Sequence, residues 1–127
     1  MNDRGSTRGV FGSFRHALSG VFAAVKGERN MRIHLLFALA AVALGAWLGI
    51  DRGEWAAVVF CCALVISLEC MNTAVESVVD LASPDVHPLA KRAKDCAAGA
   101  VLVSAVGAAV VGCVIFLPRL ASLLKLG

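Results

Sequence analysis

Apolar residues along this chain form long blocks that are separated by short polar segments. The blocks cover residues 35–50, 55–68 and 97–117, and the second continues in helical periodicity to about residue 81. At about 1.5 Å per residue, blocks of this length approach or exceed the ~30 Å thickness of a bilayer core. The pattern therefore predicts three membrane-spanning helices, at about residues 33–50, 55–81 and 95–117.

A different pattern precedes the first block. Apolar residues recur at spacings of three and four, with polar residues between them, at Phe11, Phe14, Leu18, Val21, Phe22 and Val25. This spacing predicts an amphipathic helix at about residues 11–27 that lies in the membrane interface, and a helix packed against the protein's own bundle is the alternative. We expect a flexible N-terminus at 1–10, one domain at 11–120 whose last span ends at Pro118, and a tail at 121–127.

Composition supports a small polytopic membrane protein. The chain is 59% hydrophobic, against roughly 45–50% in soluble domains, and its mean hydropathy is +0.81. No interleaving of basic and aromatic residues points to a nucleic-acid partner. The 5 cysteines form no CxxC pair and are interpreted as small apolar residues, not as a metal or disulfide site. We expect no secretory signal peptide, because the first long apolar block starts only at residue 35.

The distribution of lysine and arginine predicts an orientation. Most of the 12 basic residues precede the first block or lie between the second and third blocks. The positive-inside rule places these segments in the cytoplasm. The N-terminus is then cytoplasmic, the C-terminus lies outside, and the protein is a multi-pass protein of the cytoplasmic membrane.

One stretch of the second span, ECMNTAVESVVD at residues 69–80, carries four polar side chains on one helical face. Glu69, Asn72, Glu76 and Asp80 fall within an arc of about 80° at 100° per residue. The stripe occupies the end of the helix that reaches the cytoplasmic boundary, with Glu69 deepest. Carboxylates in a membrane helix are costly, so they usually have a function.

The chemistry of this stripe favours a metal-nucleotide site. Carboxylate oxygens suit Mg²⁺, which proteins usually hold with one or two carboxylates plus substrate phosphates. The deepest acid, Glu69, suits a proton acceptor. A set of buried acids paired with basic residues for packing specificity is the alternative. Because the chain has no GxxxxGK[ST] motif and no glycine-rich kinase loop, an ATP site would be built from helix ends and side chains.

Three motifs resemble the prokaryotic diacylglycerol kinase family, small trimeric membrane enzymes that include the undecaprenol kinases. They are E28-R-N-x-R-x-H34, E69-x-x-N72-T-A-V-E76-x-V-V-D80 and K94-D95, and the resemblance covers roughly residues 11–118. It implies an all-α homotrimer with a surface helix and three spans, whose site is shared between subunits. It also implies transfer of phosphate from Mg-ATP to a membrane lipid hydroxyl at the cytoplasmic face.

The resemblance implies a role for each matching residue. Glu69 is the expected general base, with Asn72 and Asp80 in support, and Glu28 and Glu76 are expected to hold Mg²⁺. The expected ATP-binding residues are Glu28, Glu76, Asp85, Val86, His87, Lys94, Asp95 and His16. Lipid contacts are expected from Glu69, Arg32, Trp47 and Trp55.

Some features separate this chain from many relatives and leave other functions open. His16 stands where many relatives have a tyrosine, while His34 and the FLPR sequence at 116–119 look more like the undecaprenol kinase branch. Both diacylglycerol and undecaprenol therefore stay open as the lipid. The alternative functions are a small ion- or proton-coupled transporter, in which Glu69 would titrate, and a non-catalytic membrane subunit.

Overall fold

The structure is a computed structural model that describes residues 7–126, with side chains for 9–125. Within this range the regular secondary structure is all helical, with short connections between the helices. Its four helices are α1 (Thr7–Gly27), α2 (Arg29–Leu48), α3 (Arg52–Ala82) and α4 (Pro88–Leu126). The predicted flexible N-terminus falls largely outside the described residues, but α1 already includes residues 7–10.

Helices α2, α3 and α4 are each long and apolar enough to cross a membrane. This confirms the predicted all-helical protein with three spans. The helices are longer than the predicted spans, because each extends beyond its apolar block into flanking polar residues. At about 1.5 Å per residue, α3 with 31 residues and α4 with 39 residues exceed the ~30 Å bilayer core.

Helix α3 contacts all three other helices, and its longest contact is with α4. Ile50, Val58, Ile115 and Phe116 form the buried core where these helices meet. The outward faces of the spans carry exposed large apolar side chains, such as Leu36, Phe60 and Val103. Such continuous apolar exposure suits a lipid environment, in which no hydrophobic penalty attaches to it.

The turn between α2 and α3 is fixed by two local features. Gly49 ends α2 with φ 63° and ψ 50°, a left-handed conformation that favours glycine. Asp51 then caps α3, because its side chain accepts a hydrogen bond from the backbone N–H of Glu54 while the Glu54 side chain accepts one from that of Asp51. This reciprocal capping satisfies two N–H groups that a helix start would otherwise leave unpaired.

The prediction that Pro118 ends the last span is wrong. Helix α4 continues through Pro118 to Leu126, so the predicted tail at 121–127 is helical as far as it is described. Proline removes one backbone hydrogen bond, but contacts beyond it hold the helix. Arg119 donates to the carboxylate of Glu54 on α3, and Leu120 packs against the buried core.

Helix α1 leaves its phenylalanines uncovered. Phe11 is 79% exposed, and Phe14 and Phe22 are also exposed, whereas Ala24 is buried near the junction with α2. The phenylalanine face is thus not packed against the described bundle. The interfacial placement of α1 stays a prediction that this exposure supports.

Candidate active site

Burial decreases steadily along the polar stripe of α3. Glu69 is 2% exposed and Asn72 is 9% exposed, Glu76 is half-buried, and Asp80 is exposed. The order arises because the stripe faces α2 and α4 at Glu69 and leaves the packed bundle toward the end of α3. The structure therefore provides a gradient from an enclosed carboxylate to a water-facing one, as the spacing predicts.

The carboxylate of Glu69 has one side-chain partner among residues 7–126. Its Oε1 lies 3.1 Å from Nε2 of His34 on α2. The His34 side chain is 21% exposed, so it connects the enclosed acid to a more open part of the surface. A buried carboxylate requires such a donor, because leaving a charge unpaired in an apolar surrounding is costly.

Asn72 is bonded on one side only. Its Nδ2 donates to Oε1 of Glu76 at 3.3 Å, but its Oδ1 is buried with no hydrogen-bond partner within the described structure. A buried acceptor without a partner usually marks a missing ligand, ion or water. This amide oxygen therefore points to a donor or a cation that binds beside the stripe.

Glu28 brings a further carboxylate to this region. It is the single residue between α1 and α2, with φ −108° and ψ 121°, and its half-buried carboxylate is close enough to act electrostatically on Glu69, as Glu76 is. No group of three or more His, Cys, Asp or Glu within 7–126 could hold a metal alone. Two carboxylates and the free Asn72 oxygen nevertheless fit Mg²⁺, which takes its other ligands from water and phosphates.

Two cavities adjoin the site. The polar one has a volume of about 320 Å³, and its walls include Asn30, His34, Glu69 and Asn72. The apolar one has a volume of about 420 Å³ and runs between α2, α3 and α4 toward the buried core. Both are lined by His34 and Ala105, so the apolar cavity adjoins the polar cavity that contains the carboxylate of Glu69.

The remaining charged residues of the predicted site pair on the water-facing side. Lys94 of α4 donates to Asp80 of α3, which joins the two helices where the stripe ends. Asp95 pairs with Lys91 one turn earlier and is exposed. Lys94 and Asp95 therefore lie at the site's entrance and not beside Glu69.

Several predicted nucleotide contacts lie apart from the enclosed acid. Asp85, Val86 and His87 form the exposed loop between α3 and α4, where Nδ1 of His87 accepts from the backbone N–H of Leu89. His16 is exposed on α1. These positions can reach a nucleotide only from the outside of the site.

The predicted lipid residues are also spread out. Arg32 is exposed one turn after Glu28, and Trp47 is 70% exposed near the end of α2. Trp55 packs against Gly45 at the start of α3. Both tryptophans lie about 20 Å along their helices from the His34–Glu69 contact, so they can meet a lipid chain but not its reacting group.

Sequence reasoning gave His34 no chemical role, although it appears in the first family motif. Its imidazole and the side chain of Asn30 both line the polar cavity. The available signal was position: His34 lies about 7.5 Å along α2 from Arg29, where the polar segment enters the apolar block. A titratable residue at that depth is unusual enough to be a candidate.

Comparison with known proteins gives a consistent result. The sequence model of the family described as prokaryotic diacylglycerol kinase matches residues 15–116. A diacylglycerol kinase of Synechocystis is 45% identical over 113 residues, which are 88% of this chain and 65% of that protein's length.

Two other relatives are covered nearly completely. An undecaprenol kinase of Bacillus subtilis is 43% identical over 110 residues, covering 87% of this chain and 89% of that protein. A diacylglycerol kinase of Escherichia coli K12 is 31% identical over 114 residues, covering 90% of this chain and 93% of that protein. These names support a lipid kinase and give no support to the transporter or non-catalytic alternatives.

Proposed function

The chain belongs to the prokaryotic diacylglycerol kinase family, a family of lipid kinases, and we propose that it transfers the γ-phosphate of ATP to a membrane lipid hydroxyl at the cytoplasmic face. The acceptor is diacylglycerol or undecaprenol, since the relatives that are 45% and 43% identical are named diacylglycerol kinase and undecaprenol kinase. The observation that carries this proposal is an apolar cavity that shares His34 and Ala105 with the polar cavity in which the enclosed Glu69 lies. Such an arrangement suits a long-chain alcohol whose hydroxyl must meet a base.

Glu69 is the proposed base. In the reaction the hydroxyl proton passes to Glu69, the hydroxyl oxygen forms a bond to the γ-phosphorus, and the bond from that phosphorus to the ADP oxygen breaks. Phosphoryl transfer depends mainly on positioning and on stabilising charge. The burial of Glu69 supports its role, since a position without bulk water keeps the proton transfer local.

Glu28 and Glu76 are the proposed holders of Mg²⁺, and the buried Oδ1 of Asn72, unpaired among the described residues, would be a further ligand. Bound Mg²⁺ supplies charge neutralisation for the phosphates of ATP. Asp80, Lys94, Asp95, His16 and the loop residues Asp85, Val86 and His87 would contact the nucleotide from the water side. Arg32, Trp47 and Trp55 would contact the lipid.

The proposed setting is the cytoplasmic membrane, with the N-terminus inside and the C-terminus outside, in a homotrimer. The exposed apolar faces of the spans support a membrane setting and leave area for contacts between subunits. Orientation is supported by the excess of basic residues before α2 and in the α3–α4 region.

Reconstitution tests the function directly. The purified protein in vesicles receives Mg-ATP labelled at the γ-phosphate together with diacylglycerol or undecaprenol, and label is followed into extracted lipid. We expect transfer to at least one of the two lipids, and the two arms decide which. Absence of transfer to both, from protein that retains its helical circular dichroism and its oligomeric state, would overturn the proposal.

A further inference from the structure

The contact between His34 and Glu69 joins two helices at the most enclosed point of the site. Nε2 of His34 lies 3.1 Å from Oε1 of Glu69, within hydrogen-bond range. No other side chain among residues 7–126 bonds to this carboxylate. The orientation of the Glu69 carboxylate therefore depends on a residue from a neighbouring helix.

The chemistry of the two groups fixes the direction of the bond. A carboxylate that acts as a base is ionised and only accepts hydrogen bonds, so in the reactive state Nε2 of His34 donates to it. This bond occupies Oε1 of Glu69. The second oxygen, Oε2, is left to face an incoming hydroxyl group.

A histidine is a suitable partner for a base. A lysine or arginine would place a permanent positive charge beside Glu69 and make its carboxylate a weaker proton acceptor. An imidazole N–H orients the carboxylate without the permanent positive charge of lysine or arginine. His34 can therefore hold Glu69 in place while Glu69 keeps its affinity for a proton.

No other side chain among the described residues donates to this carboxylate, since the amide of Asn72 donates to Glu76 and that of Asn30 only lines the polar cavity. Glu28 and Glu76 are the acids near Glu69, and neither can donate a hydrogen bond when ionised. Helix α4 contributes only apolar side chains to the wall of the polar cavity, from Ala98, Val101, Leu102 and Ala105. On this side Glu69 would have no orienting contact without His34.

We propose that His34 is the positioning residue of the phosphoryl transfer: its Nε2–H fixes Oε1 of Glu69 and directs Oε2 to the lipid hydroxyl at the junction of the two cavities. This inference rests on the proposed function, in which the hydroxyl proton moves to Glu69, the hydroxyl oxygen bonds to the γ-phosphorus, and ADP leaves. His34 takes no part in the bonds that form or break.

Four variants in the full-length reconstituted protein test this role. His34→Leu removes the donor, His34→Gln retains an N–H of similar reach, and His34→Asn has a donor that is one methylene too short. Ser67→Leu is the matched control, since the Ser67 hydroxyl is exposed and bonds only to the carbonyl of Ala63 on its own helix. For each, kcat and the KM for ATP and lipid are measured together with thermal unfolding.

We expect His34→Leu to lower kcat about 100-fold with both KM values nearly unchanged, because a misplacement of about 1 Å has an effect of that size. His34→Gln should restore kcat to within about 10-fold of the wild type, with His34→Asn well below it. A purely structural role would instead lower the unfolding temperature and would not separate Gln from Asn.

The outcomes separate the two proposals. Wild-type protein that transfers no phosphate to lipid would overturn the proposed function and this inference together. Active wild type with equal kcat in the Leu variant would overturn the inference alone. If the Leu variant fails to fold, equal kcat in the Gln and Asn variants overturns it equally well.

Discussion

Helix α3 carries two polar clusters about 22 Å apart that differ in how completely they are paired. At its start, Asp51 and Glu54 cap the helix and Glu54 also binds Arg119 of α4. Further along, Glu69 has one partner, and Asn72 has an amide oxygen with none. Both clusters place acids in an apolar helix, but among the described residues only the second contains a buried polar atom without a hydrogen-bond partner.

The difference teaches how to separate structural from functional charge in this bundle. The groups of the first cluster bond to each other and to α4, so they stabilise a turn and hold α3 against α4. The second cluster is enclosed and incompletely bonded, and it lies beside two cavities. Incomplete bonding in an enclosed position indicates a site whose remaining partners are ligands.

The same substitution, glutamate to glutamine, should lower kcat strongly at the second cluster and hardly at all at the first. Glu69→Gln retains the shape and an acceptor for His34 but removes the proton acceptor, so kcat should fall by about 10²–10⁴-fold. Glu54→Gln, the matched control, should change kcat by less than about threefold, since its carboxylate only caps and pairs. Label transfer to lipid measures both. A comparable loss of kcat in the two variants would contradict the assignment of one cluster to structure and the other to catalysis.

The dependence of activity on Mg²⁺ should change only when the second cluster is altered. Glu76→Gln removes one of two proposed carboxylate ligands, so the Mg²⁺ concentration for half-maximal activity should rise about 10-fold or more. The KM for lipid should stay near that of the wild type. Titration of activity with Mg²⁺ provides the measurement, and an unchanged Mg²⁺ requirement would remove Glu76 from the metal site.

Stability should depend on the first cluster. Glu54→Gln and Arg119→Gln each break the α3–α4 ion pair, and the double variant should lose less than the sum of the two. We expect a coupling free energy of about 0.5–3 kcal/mol, as for residues in contact. Equilibrium unfolding in mixed detergent micelles measures the free energy of unfolding. Strict additivity would mean that the pair does not stabilise the bundle.

The smallest effect should come from the turn beside this cluster. Gly49→Ala forces a left-handed conformation on a residue with a Cβ, and we expect a loss of about 1 kcal/mol in the free energy of unfolding. Gly107→Ala is the control, because Gly107 lies inside α4 with open space around it, where alanine favours a helix. If the two changes alter the free energy of unfolding equally, the left-handed backbone conformation of Gly49 does not cause the loss of stability.

The helical pattern predicts the spans and the polar face well, because both depend on residues of one helix. The three spans and the burial order from Glu69 to Asp80 follow from length and a 3.6-residue period. The contact between His34 and Glu69 does not, since it depends on how α2 and α3 lie against each other. The passage of α4 through Pro118 likewise depends on Arg119 and Glu54, which are distant in sequence.

The junction at Glu28 connects α1 to the candidate site. Only this residue separates α1 from α2, and backbone hydrogen bonds continue on both sides, from its N–H to Ala24 and from the N–H of Arg32 to its carbonyl. Such a connection leaves no flexible linker between the two helices. A tilt of α1, with its exposed phenylalanines, must turn the backbone that carries the Glu28 carboxylate. The tilt of α1 relative to the bundle therefore affects the position of the Glu28 carboxylate relative to Glu69.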